Sequence, residues 1–520
     1  MKTSSIAFVF LSALPCACGD ALVRPDPAFD QAFEAALSRY DLPGLAVGVI
    51  RDGKVAYVRA GGELAAGSGE AVNEDTLFKI ASNSKAMTAS VLARLVDAGK
   101  LEWNDPVVKH LPRFRMFDPW VTANIEVQDL LVHNSGLPEG GGDLMLWPEP
   151  NSFTRADIIA GLAHLKPAYG FRSGYAYDNL LYVVAGEVAA AAGGAAYEEL
   201  VRREVFEPLG LDCRVGEWRR DDAPNVAQPH MRVEEANGDT NVVVRADEAV
   251  IPAITSAAAG GIRCSLNAML VWMQNWLDPT PEQLAWLSGE QRQAMWAPRT
   301  LMPVGERRKE WSNTHFHAYA FGFRLADVDG TWTVSHTGTL MGMYSVMTLL
   351  PDIRSGFVML TNGQGGKART ALNEVLTKHF TAPEQARTID WYAAILDEPV
   401  APGGSAPDTS ARIPVAAGEA ELQTGIWRDP WFGEVAICAR DAEVRFEAAK
   451  SPRLAGTVMQ VGGRYLVDWD DDSVDAEAWL EFAEQNAGTP RLLRMAKVDP
   501  QADFSFDYED LAFTRERDCE

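Results

Sequence analysis

The sequence is poor in basic residues and contains no long apolar run. Across 520 residues, Lys and Arg number 47 against 72 Asp and Glu, which gives a formal net charge of −25. A nucleic-acid binder needs a basic face that displaces counterions, so this composition argues against nucleic-acid binding. No stretch of about 18 consecutive apolar residues occurs, so the sequence predicts no membrane-spanning helix.

Two common enzyme motifs are also missing. Neither Gly-x-Ser-x-Gly nor His-Glu-x-x-His occurs, which argues against an α/β-hydrolase nucleophile elbow and against a zinc protease. Apolar residues nevertheless make up 47% of the chain, the usual share for a folded globular protein. We therefore expect large packed cores, and neither a metal nor a cofactor.

Cysteine is scarce, with six residues in the whole chain. Two of them lie near the N-terminus, and the other four allow three disulfide pairings between which sequence alone does not choose. Pairing within each expected domain favours two bonds, and free buried thiols are the alternative. The favoured bonds are Cys213–Cys264 and Cys438–Cys519.

The N-terminus has the pattern of an export signal. Lys2 precedes an apolar run from Ile6 to Leu14, and small residues follow as far as Ala21. This pattern predicts a signal peptide over 1–21 and an exported protein, periplasmic or secreted. A lipid anchor on a cysteine of this segment and an unstructured chain end are the alternatives.

Hydrophobic periodicity predicts a large α/β domain over 22–385, with an antiparallel sheet flanked by helices. An Asp-Gly turn joins two apolar runs near residue 50, which is typical of a hairpin, and strands recur near residues 331–360. A Pro/Gly/Ser-rich stretch over 386–417 predicts a linker. Beyond it, over 418–520, the period is mostly two, which predicts a small all-β barrel.

Ser82 and Lys85 stand three residues apart at the start of a helix predicted over 82–98, with Gly99 as its C-terminal cap. A serine hydroxyl is a weak nucleophile until a base takes its proton. A partly desolvated lysine has a lowered pKa that suits it to this task. Chance alone gives about half a match to Ser-x-x-Lys in this composition. A surface lysine after an N-cap serine is therefore the alternative.

Two later motifs offer groups that would complete such a site. Tyr177-x-Asn179 precedes an apolar helix, and a tyrosine beside a lysine acts as a general base if its pKa is lowered. The asparagine amide can bind a substrate carbonyl. The third motif, His336-Thr337-Gly338-Thr339, lies at the end of a predicted strand. Each motif alone is also compatible with an ordinary helix cap or turn.

Together, the three motifs in this order and spacing resemble those of the serine β-lactamase and penicillin-binding-protein superfamily. The resemblance is closest to its class C β-lactamase-like branch of esterases and D-aminopeptidases. Stretches 76–82, 127–138 and 258–262 resemble the same branch, and the similarity covers about residues 27–380. It implies a β-lactamase/transpeptidase-like fold. The tail from about residue 418 is similar to a lipocalin-like β domain often appended to such hydrolases.

The resemblance implies an acyl-enzyme mechanism without a cofactor. Ser82 would attack a carbonyl, while Lys85 and Tyr177 would share general-base and general-acid work. Backbone N–H groups of Ser82 and Thr339 would form the oxyanion hole, and water would release the acyl group. The residues expected to bind substrate are Asn179, His336, Thr337, Gly338 and Thr339.

One position departs from the pattern of the penicillin-recognising members, which usually carry lysine where this chain has His336. Histidine is mostly neutral near pH 7. A permanent cation is therefore missing at this position, and β-lactams and peptides ending in D-Ala look less favoured. Arg307, Arg308 and Lys309 are candidates for a substitute cation.

The sequence thus predicts a serine hydrolase that cleaves an ester or amide. Its substrate would be a small ester, a D-amino-acid peptide or a β-lactam-like molecule. The alternative is a penicillin- or peptidoglycan-binding sensor that acylates with little turnover. A degenerate, non-catalytic binding protein is the third hypothesis, and the intact set of Ser82, Lys85 and Tyr177 argues against it.

Overall fold

The computed structural model describes residues 26–233, 239–398, 406–417, 424–483 and 492–519. The predicted signal peptide, with its two cysteines, lies outside these residues. Within these ranges no single helix is long and apolar enough to cross a membrane. One bent pair, Leu180–Gly193 with Tyr197–Leu209 at 77°, meets that criterion only when its two parts are combined.

The helices are concentrated between the first and last strands of the large domain. In chain order they are α1 (Pro27–Arg39), α2 (Ser84–Asp97), α3 (Val107–His110), α4 (Pro119–Asn124), α5 (Arg155–Gly161), α6 (Leu180–Gly193), α7 (Tyr197–Val201), α8 (Glu207–Leu209), α9 (Ala257–Gly260), α10 (Leu266–Leu277), α11 (Pro281–Trp286), α12 (Gly289–Met295), α13 (Glu306–Ser312), α14 (Gly366–Thr381) and α15 (Ile389–Leu396).

The strands form two large sheets and three small ones. In chain order they are β1 (Gly44–Arg51), β2 (Lys54–Gly62), β3 (Phe78–Lys79), β4 (Cys213–Arg214), β5 (Trp218–Arg219), β6 (His230–Val233), β7 (Thr240–Val243), β8 (Val250–Ile251), β9 (Arg263–Cys264), β10 (Thr300–Leu301), β11 (His317–Tyr319), β12 (Arg324–Val328), β13 (Thr331–Leu340), β14 (Met343–Leu350), β15 (Ser355–Thr361), β16 (Ile413–Pro414), β17 (Gly425–Asp429), β18 (Gly433–Arg440), β19 (Glu443–Ala448), β20 (Ala455–Val461), β21 (Arg464–Trp469), β22 (Ala478–Phe482), β23 (Leu492–Lys497) and β24 (Ala512–Arg517).

The first domain is built on an antiparallel sheet of eight strands that both ends of the domain supply. Its order is β10-β11-β12-β13-β14-β15-β1-β2, and Leu45 on β1 pairs with Thr361 on β15. Helices α1 and α14 pack against one face and α10 against the other. This α/β architecture with flanking helices confirms the predicted fold class.

Helix α2 lies in the middle of this domain. Its small and apolar residues, from Ala86 to Leu95, are buried on every side of the helix, as expected of a core helix. It ends as predicted at Gly99, whose φ is +66° and whose N–H donates to the carbonyl of Val96. The buried helix gives the residues at its N-terminus a rigid base.

The second domain is a closed barrel. Strands β17 to β24 pair in sequence, and β24 pairs back with β17 to close an eight-stranded up-and-down barrel; β16 adds to β20 outside it. Trp427 is buried in its core, while Trp431 and Phe432 are buried at the side that faces the first domain. The barrel confirms the second half of the predicted fold class.

Both favoured disulfides are present. Cys213 is bonded to Cys264, which joins β4 to β9 beside the segment that leads to Ser82. Cys438 is bonded to Cys519, which ties β18 to the chain after β24. Each bond lies within one domain, so the pairing by domain is the correct one of the three.

The predicted linker differs from the structure at both of its ends. Helix α15 lies inside 386–417, and its Ile389 and Tyr392 pack into the same apolar cluster as α1 and α14. Strand β16 lies near the other end of that range and pairs with the barrel. The Pro/Gly-rich composition that surrounds α15 masked its helical spacing, so the prediction made the linker too long.

The barrel packs on the large domain along residues 147–161. The rings of Phe153 and Phe432 are 5.6 Å apart, and Lys450 forms an ion pair with Asp157 at 2.8 Å. Buried residues of both domains belong to one continuous apolar cluster. The interface therefore fixes the barrel against the helical side of the first domain.

Candidate active site

Ser82 lies on a tight turn that feeds directly into α2. The turn is a 3₁₀ segment, Ala81–Asn83, and Ser82 is partly exposed while Ala81, Asn83 and Lys85 are buried. Ala81 has a φ of +49°, which a residue with a side chain adopts only when its surroundings hold it there. The turn thus projects one hydroxyl from an otherwise buried segment.

Lys85 points its amine at that hydroxyl. Its Nζ is 3.0 Å from Ser82 Oγ, 2.7 Å from Asn179 Oδ1 and 2.8 Å from the carbonyl oxygen of Ala259 on α9. A neutral amine has two N–H donors and one lone pair. Because Asn179 and Ala259 accept the two N–H groups, the lone pair is left facing Ser82.

Lys85 is also tuned for this role. Burial lowers its pKa from the usual value near 10.5 to about 7, although Asp143 and Asp178 oppose the shift. A base whose pKa lies near the working pH combines a large neutral fraction with useful basicity. Lys85 therefore has both the geometry and the pKa of the base that takes the Ser82 proton.

Tyr177 lies over the same pair of residues. Its ring centroid is 4.9 Å from Lys85 Nζ, and its hydroxyl interacts with Ser82. Burial raises its pKa above the usual value near 10, against the opposing charge of Arg324. The lowered phenol pKa that a Tyr177 base would require is therefore not found. The neutral phenol instead suits a proton donor to the leaving group.

The amide of Asn179 is held between the Lys85 amine and the carboxyl group of Asp143. Its Oδ1 accepts from Lys85, and its Nδ2 donates to Asp143 Oδ2 at 2.7 Å. Asp143 is fully buried and lies in the loop before α5, far from the three motifs in sequence. It is a residue of the site that motif reasoning missed.

His336 is placed behind the site. Its Nε2 is 2.8 Å from the hydroxyl of Tyr319 and its Nδ1 is 2.6 Å from the carbonyl oxygen of Thr337, so both ring nitrogens are engaged. Burial, with Arg324 and Lys85 nearby, lowers its pKa well below the usual value near 6.5. The ring is therefore neutral and supports strand β13 without offering a cation to a substrate.

Gly338 brings β13 directly against the nucleophile turn. A Cβ at this position would lie 2.2 Å from the carbonyl oxygen of Ile80 and 2.3 Å from Ser345 Oγ, so only glycine fits. The next residue, Thr339, is exposed and pairs with Tyr344 on β14. The contact of Gly338 with Ile80 thus brings the strand that carries Thr339 against the segment that carries Ser82.

A cation does lie beside the third motif, on the neighbouring strand β12. Arg324 Nη1 donates to Thr337 Oγ1 at 2.6 Å, and the guanidinium carbon is 5.8 Å from the Tyr177 ring. Arg369 on α14 donates to the carbonyl of Gly338 at 2.6 Å and to Thr339 Oγ1 at 2.7 Å. Position 336 itself therefore carries no permanent cation, but Arg324 and Arg369, which the sequence analysis did not identify, lie beside the motif.

The three basic candidates from the sequence divide between the site and the surface. Arg308 lies close enough to Arg324 for their charges to interact. Arg307 instead stacks on Trp311, and Lys309 pairs with Glu306 at 2.6 Å. Among the described residues, none of Arg308, Arg324 and Arg369 has a carboxylate within 4.0 Å. These three arginines form a cationic group beside β13 without a carboxylate in ion-pair contact. Glu374 and Glu139 lie close enough to interact with the charges of Arg308 and Arg324, respectively.

The barrel domain also reaches the site. The loop between β23 and β24 places the Phe504 ring 5.8 Å from that of Tyr177, in an edge-to-face contact. Gly140 has a φ of +70°, and a Cβ there would lie 2.6 Å from the Phe504 carbonyl oxygen. Nothing in the local pattern of the tail signals this contact, because it joins residues more than 300 positions apart.

Over the described ranges, no three His, Cys, Asp or Glu side chains are grouped to hold a metal ion.

Comparison with known proteins agrees with this geometry. The β-lactamase family model matches residues 29–379. The unguisins hydrolase of Aspergillus campestris is 27% identical over 383 residues, which are 70% of this chain and 67% of that protein. The D-alanyl-D-alanine-carboxypeptidase/endopeptidase AmpH of Escherichia coli K12 is 27% identical over 240 residues, 45% of this chain and 57% of the relative.

A solved structure resembles the whole chain. The octameric penicillin-binding protein homologue from Pyrococcus abyssi superimposes with a TM-score of 0.56 at 16% identity, covering 94% of this chain and 99% of that one. This likeness concerns the fold, including the barrel. The curated relatives are matched over about half to two thirds of their own length. Since the family model spans most of the chain and all three motifs lie within it, the chain belongs to the β-lactamase family and is a serine hydrolase.

Proposed function

We propose that the protein hydrolyses peptide-like amides and esters that carry a free carboxylate near the scissile bond, through an acyl-enzyme on Ser82. The observation that carries the proposal is the position of Lys85 Nζ, 3.0 Å from Ser82 Oγ with its other two partners fixed. This arrangement activates a nucleophile, and it needs no group from outside the chain.

The reaction would proceed in two halves. Lys85 takes the Ser82 proton while Oγ bonds to the substrate carbonyl carbon, and the N–H groups of Ser82 and Thr339 stabilise the oxyanion. Collapse breaks the bond to the leaving group, which receives a proton from Tyr177, and Tyr177 regains a proton from Lys85. A water then attacks the acyl carbon and gives a proton to Lys85. Collapse of this second intermediate breaks the bond between the acyl carbon and Ser82 Oγ, which takes the proton back from Lys85, and the acid product leaves.

The substrate carboxylate is assigned from the three arginines beside β13. A guanidinium binds a carboxylate through two parallel hydrogen bonds, and Arg324 lies beside Thr337 on the strand along which a substrate would extend. The name of the similar AmpH protein, a carboxypeptidase, supports a substrate with a free carboxylate. The similarity to an unguisins hydrolase supports hydrolysis as the reaction and says nothing of the bond that is cleaved.

The test combines intact-mass spectrometry with turnover. Wild type and Ser82→Ala are incubated with a fluorophosphonate, a penicillin, p-nitrophenyl acetate and a D-alanyl p-nitroanilide, and product release is followed in parallel. We expect a Ser82-dependent adduct and rapid turnover of ester or anilide. Unchanged hydrolysis by Ser82→Ala would refute the proposal. A long-lived penicillin adduct without turnover would favour the sensor hypothesis instead.

The carboxylate assignment has its own test in Arg324→Gln. We expect KM for an amide substrate that bears a carboxylate to rise about 10- to 100-fold, the effect of losing a charge-assisted pair. Hydrolysis of neutral p-nitrophenyl acetate should change little, which controls for damage to the nucleophile. Equal losses on both substrates would place Arg324 in the fold or the chemistry and not in carboxylate binding.

We also propose that the protein is exported. The signal-like pattern over 1–21 supports this, and so do the two disulfides, since such bonds persist mainly in oxidising compartments.

A further inference from the structure

The barrel supplies two polar residues to the loop that carries Asp143. Ser505 Oγ donates to Asp143 Oδ2 at 2.8 Å. Asp507 accepts the backbone N–H of Gly142 at 2.6 Å and that of Leu144 at 3.0 Å, so it holds the residues on either side of Asp143. Both carboxyl groups are buried. The barrel thus helps to fix the position of Asp143, which directly follows three glycines, 140–142, in the first domain.

Asp143 in turn decides which way the Asn179 amide faces. An asparagine amide has an oxygen on one side and an NH₂ group on the other, and only its partners determine the orientation. Two donors, Asn179 Nδ2 and Ser505 Oγ, converge on Asp143 Oδ2. While Oδ2 accepts both hydrogen bonds, the NH₂ group of Asn179 is held on the Asp143 side and its oxygen faces Lys85.

We propose that Asp143, braced by Ser505 and Asp507 of the barrel, is a positioning residue that orients Asn179 toward Lys85, so that the barrel domain is part of the catalytic apparatus. The chain of contacts runs from Ser505 through Asp143 and Asn179 to the Lys85 amine, with every step between 2.7 and 2.8 Å. This inference rests on the proposed function of Ser82 and Lys85.

The consequence for reactivity follows from the lone pair of Lys85. If the Asn179 amide flips, its NH₂ group faces the Lys85 amine in place of its oxygen. The amine then loses an acceptor that holds one of its N–H groups, and its lone pair is no longer directed at Ser82. Activation of Ser82 should fall for every substrate and every serine-directed reagent, without a change in how the reagent is bound.

The experiment uses the full chain and a pair of variants of equal shape, Ser505→Thr and Ser505→Val. Ser505 is only partly buried, so either side chain can be accommodated. Threonine keeps the hydroxyl, and valine replaces it by a methyl group. The rate of fluorophosphonate inactivation is measured against reagent concentration, which separates the maximal rate constant from the binding constant. Ser410→Ala, in an exposed turn before β16, is the control.

We expect Ser505→Val to lower the maximal inactivation rate constant about 10-fold with an unchanged binding constant, as for the loss of one hydrogen bond to a carboxyl group. Ser505→Thr should match wild type and Ser410→Ala. Equal rates for the threonine and valine variants would overturn the inference, whether both are fast or both are slow. Absence of labelling at Ser82 in wild type would instead overturn the proposed function, so the two failures are distinguishable.

The Asp507→Asn variant is a second test of the role proposed for the barrel. The asparagine has the shape of Asp507 but can accept only one of the two N–H groups, and its own NH₂ meets the other. We expect the same fall in the maximal rate constant, with the melting temperature recorded to show that the protein is folded. A folded variant that labels at the wild-type rate would contradict the role given to the barrel.

Discussion

At the scale of single residues, the proposed mechanism makes the reactivity of Ser82 depend on the protonation of Lys85. Below a pKa of about 7 the amine is charged and cannot accept the serine proton. We therefore predict that kcat/KM for p-nitrophenyl acetate rises about tenfold per pH unit up to about pH 7 and then levels. The profile is measured between pH 5 and 9.

A second buried group titrates in the same range, so the assignment needs a control. Burial raises the pKa of Asp178 to about 7, although its carboxylate accepts hydrogen bonds from Ser135 and from the backbone of Leu181. Asp178→Asn should retain the rise near pH 7 if Lys85 is responsible. If the rise of kcat/KM near pH 7 disappeared in Asp178→Asn, or if kcat/KM rose only near pH 10, the Lys85 assignment would be wrong.

Tyr177 is expected to matter most when the leaving group is a poor one. Its phenol is neutral, because burial raises its pKa, and it can donate the proton that an amine leaving group requires. We predict that Tyr177→Phe loses about 10²- to 10³-fold in kcat on an amide or anilide and less than about tenfold on p-nitrophenyl acetate. Equal losses on the two substrates, measured by steady-state kinetics, would contradict a proton-donor role.

At the scale of secondary structure elements, the close packing of β13 on the nucleophile turn forms the site. The missing side chain of Gly338 permits this contact, and an added Cβ would collide with the backbone of Ile80. We predict that Gly338→Ala lowers kcat/KM about 10²- to 10³-fold, because the oxyanion donors move apart. Stability should fall by about 1–3 kcal/mol from overpacking.

A matched glycine separates the packing effect from the general effect of an added methyl group. Gly305 has an ordinary φ of −67°, and a Cβ there would meet nothing within 4 Å. Gly305→Ala should therefore leave kinetics and thermal unfolding nearly unchanged. If Gly338→Ala retained wild-type kcat/KM with the fold intact, the tight contact would not be needed for catalysis.

The elements also show how far the sequence could predict the site. Ser82, Lys85, Tyr177 and Asn179 are detectable because each motif opens a helix whose periodicity is strong, and the structure brings all four together. Arg324 was missed because β12 is a short strand without a clear alternation. Its partner Thr337 is found only once the register between β12 and β13 is known.

At the scale of the whole molecule, the contacts between the two domains cannot be predicted from the sequence. Ser505 and Asp143 are 362 positions apart, and no local pattern in either segment indicates the other. The barrel itself was predictable from strand periodicity, but its docking depends on apolar surfaces that are complementary only in three dimensions. The same docking carries Phe504 and Ser505 to the catalytic residues of the first domain.

The shared core leads to a prediction about unfolding. Because buried residues of the two domains form one continuous cluster, and the barrel loop reaches the site, the domains should unfold together. We predict that the loss of fluorophosphonate labelling at Ser82 and the loss of barrel structure occur in one thermal transition. The barrel is followed through its core residue Trp427, compared with a Trp427→Phe variant to isolate its fluorescence. Two separate transitions, with labelling that survives the melting of the barrel, would show instead that the first domain holds its active site without the second.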